Sequence, residues 1–216
     1  MAEGLLEAFV ESLRPEGRKF LGVAIAQVTD NKDSLGQGRV RLRFPWLPNF
    51  ETWARVAVLS AGNDAGTFFV PQVDDEVLVA FNHGDVRDPF VIGCLWNGED
   101  AAPARGLLDP VNKRMVRTPK GHQLLFDDMT QSIKLESATG QKITLASDKI
   151  ELESSSGAKV TLDASGGVVI DAAAEIKLKA TSIKLEGTNI QLQANAQLDL
   201  NGGSSCSVQG GVVRIN

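Results

Sequence analysis

The sequence predicts an all-β fold in two parts: a small N-terminal barrel, then a needle in which three copies of the chain intertwine as a triple-stranded β-helix. A short helix precedes the barrel. Three observations carry this reading. All nine Phe and all three Trp lie at or before Phe126, and all eight Pro at or before Pro119, so residues 127–216 hold neither an aromatic nor a proline. Within that half an apolar-polar-apolar triplet recurs about every eight residues. Ahead of it, roughly 75 residues from Phe20 to Trp96 contain five or six strand-like runs broken by Asp, Asn, Gly and Pro.

Taken in order, the first element is the helix. Leu5, Leu6, Phe9, Val10 and Leu13 fall at helical spacing with Glu3, Glu7 and Glu11 on the other face. Pro15 cannot continue the ladder and Gly17 suits a turn, so Arg14-Pro15-Glu16-Gly17 ends it. Its apolar stripe is either a docking handle for a partner or a face folded back on its own domain.

The runs LGVAIAQVTD, GRVRLRF, WARVAVLS, GTFFV, EVLVAF and FVIGCLW come next. Asp30 to Gly38 reads as a hairpin loop, and Asn82-His83-Gly84-Asp85 as a turn before the last run. This count suits an oligonucleotide/oligosaccharide-binding (OB) type barrel.

The triplets of the second half are Ile133-Lys-Leu135, Ile143-Thr-Leu145, Ile150-Glu-Leu152, Val160-Thr-Leu162, Val168-Val-Ile170, Ile176-Lys-Leu178, Ile183-Lys-Leu185, Ile190-Gln-Leu192 and Leu198-Asp-Leu200, with Val213-Arg-Ile215 at the end. Successive starts among the first nine are 10, 7, 10, 8, 8, 7, 7 and 8 residues apart. Strict period-2 alternation in such short pieces makes each a short strand with one apolar face. Steps this short cannot form the coils of a usual single-chain solenoid, which take about 20 residues or more. If three chains each supply one wall per layer, the Ile and Leu side chains converge on a common axis and neighbours satisfy the backbone. About ten layers at roughly 4.8 Å give a needle about 50 Å long. The competing pattern is a plain β-meander or sandwich, but sandwich strands run longer, and a sandwich core with no aromatic is unusual.

Composition narrows the function. Lys and Arg total 22 against 27 Asp and Glu, a net charge of -5, with no long run of one sign, so a phosphate-binding surface is not the default. No stretch approaches the roughly 18 apolar residues of a membrane span, and the N-terminus has acids where a secretory signal has positive charge. A soluble protein made in the cytoplasm is expected. With only Cys94 and Cys206, a disulfide framework or multi-Cys zinc site within one chain is excluded.

Few residues offer catalytic chemistry. Asp74, Asp75 and Glu76 read as a solvated turn, since consecutive residues at a strand entry point to opposite sides. His83 and His122 sit at turns, Cys94 reads as a core thiol, and Cys206 lies in the small-residue stretch GGSSCSV. Arg39, Arg41 and Arg43 alternate along one strand beside Phe44 and Trp46, a pattern a single-strand nucleic-acid binder would use. The negative net charge and the repeat half argue against that use. No catalytic residue, metal site or cofactor is assigned.

GRVRLRFPW (Gly38 to Trp46), WARVAVLSAGNDAGTFFVPQVDDEVLVAFNHGDVRDPFVIGCLWNG (Trp53 to Gly98) and TPKGHQLLFDD (Thr118 to Asp128), in this order, resemble the OB domain and neck of contractile-injection spike proteins. These are the phage baseplate assembly protein V and VgrG-like family, and the resemblance covers about residues 20–216. It implies a structural, non-enzymatic homotrimer: an OB collar bearing a needle, joined to a hub protein above and capped by a PAAR-repeat tip protein below. Incorporation into a phage tail or phage-tail-like particle, puncture of a target envelope with transient membrane contact, and effector cargo follow from the same resemblance. The family's fused members carry several hundred residues before the OB domain, so a separate hub polypeptide is expected. Other readings are an OB nucleic-acid binder with an oligomerising β tail, and a phage tailspike that binds polysaccharide.

The expected divisions are residues 1–19 for helix and linker, 20–100 for the OB barrel, 101–128 for a neck and 129–216 for the spike. Ile133, Leu135, Ile143, Leu145, Ile150, Leu152, Val160, Leu162, Ile176, Leu178, Ile183, Leu185, Ile190, Leu192, Leu198 and Leu200 are the expected trimer core. Val208, Val212, Val213 and Ile215 are the expected seat of the tip protein, because a blunt end with open strand edges requires a cap. Leu5, Leu6, Phe9, Val10 and Leu13 are the expected hub contact.

Overall fold

A computed structural model describes residues 19–214. The helix expected over residues 3–13 and the terminal Ile215 lie outside these.

Five strands close the first part into a barrel in the order β1-β2-β3-β7-β6: β1 Val23–Asp30, β2 Val40–Arg43, β3 Glu51–Val56, β6 Glu76–Phe81 and β7 Pro89–Leu95. All neighbours are antiparallel except β3 and β7, which run parallel and seal the barrel. Period-2 alternation does the sorting. Ala24, Ala26 and Val28 of β1, Val40 and Leu42 of β2, Ala54 of β3, Val77 and Val79 of β6 and Val91 of β7 point inward and are buried. Phe44 closes one end of this core, with Phe81, Phe50 and Trp46 arranged around its ring at centroid distances of 5.6, 6.4 and 5.6 Å.

The loop between β1 and β2 is organised by one carboxylate. Asp33 accepts from the backbone N–H groups of Leu35, Gln37 and Arg39 and from the Arg39 guanidinium at 2.7 Å. The Arg39 hydrogen bond, reinforced by those backbone donors, holds the carboxyl far below the usual carboxylate range.

One expected strand is absent. GTFFV contributes no barrel strand; instead its Gly66 joins a small separate hairpin of β4 (Ala61–Gly62) and β5 (Ala65–Gly66), and Phe68 and Phe69 follow it unpaired. Gly66 explains the departure: its φ of +143° and the approach of the Ser60 carbonyl, 2.3 Å from where a Cβ would sit, turn the chain out of the barrel.

A one-turn helix, α1 (Asp109–Asn112), leads into the second part, a seven-stranded antiparallel meander: β8 Lys113–Arg117, β9 Gln123–Asp127, β10 Ser132–Glu136, β11 Lys142–Leu145, β12 Lys149–Glu153, β13 Lys159–Asp163 and β14 Val168–Asp171. Its first two strands, β8 and β9, fall within residues 101–128, and the segment between them forms their hairpin turn.

Four of its turns share one design. Thr118, Ser137, Ser154 and Asp163 each accept, through a side-chain oxygen, the N–H of the residue four positions on. Gly121, Gly140, Gly157 and Gly166, three positions on, take φ of +97°, +90°, +89° and +90°. The small polar residue fixes the turn's start, and the glycine supplies the left-handed step.

As far as Asp171 the triplets therefore pair with their sequence neighbours within one chain, where the sequence reading has neighbouring copies satisfying the backbone. Hairpin turns of three to five residues are long enough to fold each strand back on the last. Past Asp171 no strand forms among the described residues. Among the described residues from 172 to 214, the sole backbone hydrogen bond joins Ser205 N–H to Gly202 O.

Candidate functional site: an unpartnered apolar face

The antiparallel register lines up the triplets. Ile133 lies opposite Leu145, Leu145 opposite Ile150, and Ile150 opposite Leu162. Beside this row runs a second, in which Leu135 faces Ile143, Ile143 faces Leu152 and Leu152 faces Val160. Phe126 and Leu124 extend the rows upward, Val168 and Ile170 downward.

On a single chain this face is bare. Ile133, Leu135, Ile143, Leu145, Ile150, Leu152 and Leu162 are all exposed, whereas Lys134, Thr144, Glu151 and Thr161, on the opposite face, are only partly so. Every buried hydrophobic side chain among the described residues belongs to the barrel part. An apolar stripe this long is not stable against water, and each Leu or Ile passing from half-exposed to covered contributes about 1 kcal/mol. The second row lines an open apolar groove of about 570 Å³, which Ile176 joins from the following segment.

The polar face is stitched by charge. Glu151 accepts from Lys149 at 2.9 Å on its own strand and pairs with Lys159 of β13 at 3.0 Å. These two ammonium groups, Lys149 foremost, hold the Glu151 carboxyl below its ordinary value, and Glu151 in turn raises Lys149.

Other expected residues are not gathered. Ile176, Leu178, Ile183, Leu185, Ile190, Leu192, Leu198 and Leu200 are exposed and unpaired on the lone chain, as are Val208, Val212 and Val213 toward its end. Leu5, Leu6, Phe9, Val10, Leu13 and Ile215 lie outside the described residues.

Residues that offered chemistry have structural duties. Asp75 accepts the Gln72 N–H at 2.7 Å, and Asp74 faces the Gln27 amide. His83 sits at φ +49° in the turn between β6 and β7, and His122 Nδ1 accepts the Ala138 N–H at 3.2 Å. Cys94, read from the sequence as a core thiol, is instead exposed on β7, where period-2 alternation turns it away from the barrel core; its partial burial, and after it the charge of Asp75, still pushes the thiol up. No group of three His, Cys, Asp or Glu among the described residues is arranged to hold a metal ion. The arginines at and just before β2 are engaged: Arg39 with Asp33, Arg41 with Glu51 at 2.9 Å, and Arg43 with Gln27. Arg39 also stacks over Trp53 at 5.4 Å, and two of the three guanidinium groups, those of Arg39 and Arg41, are paired with carboxylates within the chain.

Sequence reasoning passed over Asp127. It is buried and caps the turn into β10 by accepting from Met129 and Thr130 N–H at 3.0 and 3.2 Å. The Thr130 backbone donor leads in holding its carboxyl low. Its Asp-x-x-Thr spacing was the available signal.

Comparison with known proteins agrees with this division. Residues 24–96 match the family model described as the type VI secretion system/phage-baseplate injector OB domain, and residues 113–174 the phage baseplate V C-terminal trimerisation domain. The chain is 31% identical over 106 residues to the type VI secretion system spike protein VgrG2a of Pseudomonas aeruginosa, covering 44% of this chain and 13% of that protein. Against VgrG3 of Vibrio cholerae it is 34% identical over 107 residues, 44% of this chain and 10% of that one. With VgrG5 of P. aeruginosa the identity is 39% over 72 residues, 31% of this chain and 9% of the relative. The matched region thus spans about a tenth of these relatives' length. The trimerisation match supports a homotrimer. No helix among the described residues is long and apolar enough to cross a membrane.

Proposed function

Because the chain belongs to the phage baseplate V and VgrG-like family of spike proteins, we propose that it is the central spike of a contractile injection apparatus, a structural part with no catalytic task. Three copies associate through the two apolar rows. The barrels form a collar that adapts the needle to a hub protein, and the end near Val208, Val212, Val213 and Ile215 seats a PAAR-repeat tip protein. The needle transmits contraction force to a target envelope by staying rigid. Leu5, Leu6, Phe9, Val10 and Leu13 are the hub contact in this reading.

The bare double row from Ile133 to Leu162 carries the proposal. A face of that length, apolar on one side and salt-bridged on the other, has no use on a monomer and is what a threefold axis requires. A stiff trimer stabilised along its whole length resists compression, and that is the mechanical property a puncturing element needs.

Absolute mass in solution tests it. The full chain is expected at three times 23.1 kDa, about 69 kDa. A native monomer at micromolar concentration sinks the spike reading.

A further inference from the structure

Val116 connects the two bare apolar surfaces of the molecule. On β8 it pairs with Leu124, which in turn faces Leu135 at the head of the second row. Val116 also lines a groove of about 1000 Å³ between barrel and sheet, together with Phe69 and Trp96. Phe69 belongs as well to a second groove, of about 560 Å³, which it shares with Phe68 beneath the β4–β5 hairpin.

The aromatic side chains here are thrown outward by a built turn. Thr67 N–H donates to Ser60 O at 2.9 Å, and the space beside Gly66 admits no side chain, so the hairpin has one shape. It leaves Leu59 96%, Phe68 80%, Phe69 65% and Trp96 71% exposed. A fixed hairpin presenting two adjacent phenylalanines to water marks a contact surface.

We propose that this hairpin is a second contact between copies: Leu59, Phe68 and Phe69 of one protomer rest on a second copy of this chain at the barrel-to-sheet groove. The inference rests on the trimeric spike reading. Val116 makes the aromatic patch continuous with the rows that three copies bury in that reading. Three barrels tethered to one threefold sheet assembly stand side by side, and the hairpin then meets a neighbour rather than solvent. The contact locks the collar to the needle and stops the barrels from swinging under load.

Chymotrypsin, which favours large apolar side chains, reads this surface directly. Full-length chain is compared with full-length Leu152→Asp and Ile143→Asp chains, each checked by light scattering for mass and by hydrogen exchange across β6 for an intact barrel. Cleavage at Phe68 and Phe69 is expected to be about ten-fold slower or more in the trimer than in either monomer. Equal cleavage in trimer and monomers, or protection that appears only when a hub protein is added, overturns the contact. A monomeric wild-type chain overturns the spike reading beneath it, and the mass measurement tells the two failures apart. A second variant serves if the monomers unfold. The Phe68→Ser, Phe69→Ser chain is expected to keep its trimeric mass but dissociate at lower denaturant concentration; an unchanged midpoint overturns the contact, because these exposed rings lose little within their own chain.

Discussion

Leu152 lies opposite Ile143 in the ladder joining β11 and β12, yet the two side chains remain 44% and 36% exposed on the single chain. Cross-strand neighbours normally bury one another against a core. In the trimer proposed above, the pair is one third of an interface that the same pair on two further copies completes.

Leu152→Asp therefore places three carboxylates together on a dry axis, where each lacks both water and a counter-charge. The expected result is a species near 23.1 kDa in place of one near 69 kDa. Thr161→Lys, on the other face of the neighbouring strand and opposite Glu151, is expected to leave the trimer intact. Equal masses for both variants contradict the assignment of the faces.

The repeated turns give a second expectation. Gly157 holds φ +89°, and a Cβ added there meets nothing within 4 Å, so Gly157→Ala tests backbone conformation alone. Left-handed geometry costs a non-glycine residue roughly 1 to 2 kcal/mol, incurred in every copy. The melting temperature is expected to fall by several degrees. Gly157→Asn, which tolerates this conformation better, falls less. If both substitutions are silent, the turn does not set the meander.

Asp33 predicts an acid limb. Its carboxyl is held below the ordinary value of 3.8, chiefly by Arg39, so the folded chain binds that proton less readily than the unfolded one. The stabilisation is complete above that ordinary value and is lost as pH falls below 3.8 and on through the lower folded value. Asp33→Asn removes it. The variant's barrel is expected to be less stable at neutral pH and to show a shallower loss in denaturant melts between about pH 4 and pH 2. Parallel acid limbs for variant and wild type count against the Asp33–Arg39 pair as the source.

Much of this architecture is legible in the chain because alternation reports faces directly. Ile133-Lys-Leu135 states which side is apolar, and the loss of aromatics after Phe126 marks where a barrel core gives way to a repeat. Partner choice is harder to read. The triplets are equally compatible with pairing to the next strand of one chain or to another copy, and turn length decides between them: Ser137-x-x-Gly140 and Ser154-x-x-Gly157 close hairpins within the chain. Phe68 and Phe69 mislead for a related reason, since a β-rich run following a glycine reads as a strand until the backbone of Gly66 is known. Asp127 is invisible to periodicity because capping depends on local geometry, not on hydrophobic spacing.

The change at Asp171 sets the last expectation. Upstream, each triplet has a ladder within its own chain. Downstream, Ile176-Lys-Leu178, Ile183-Lys-Leu185, Ile190-Gln-Leu192 and Leu198-Asp-Leu200 keep the alternation but have no strand partner among the described residues. Extended backbone without partners exchanges its amides as fast as open chain. In the trimer the only available acceptors are those of the other copies, so amides between residues 176 and 200 are expected to exchange slowly in the wild-type trimer. Leu185→Asp, on the same axial face, is expected to abolish that protection while β6 in the barrel stays protected. A trimer of about 69 kDa whose residues 176–200 exchange freely limits the interwound spike to the residues before 172, and leaves the downstream triplets without a structural role.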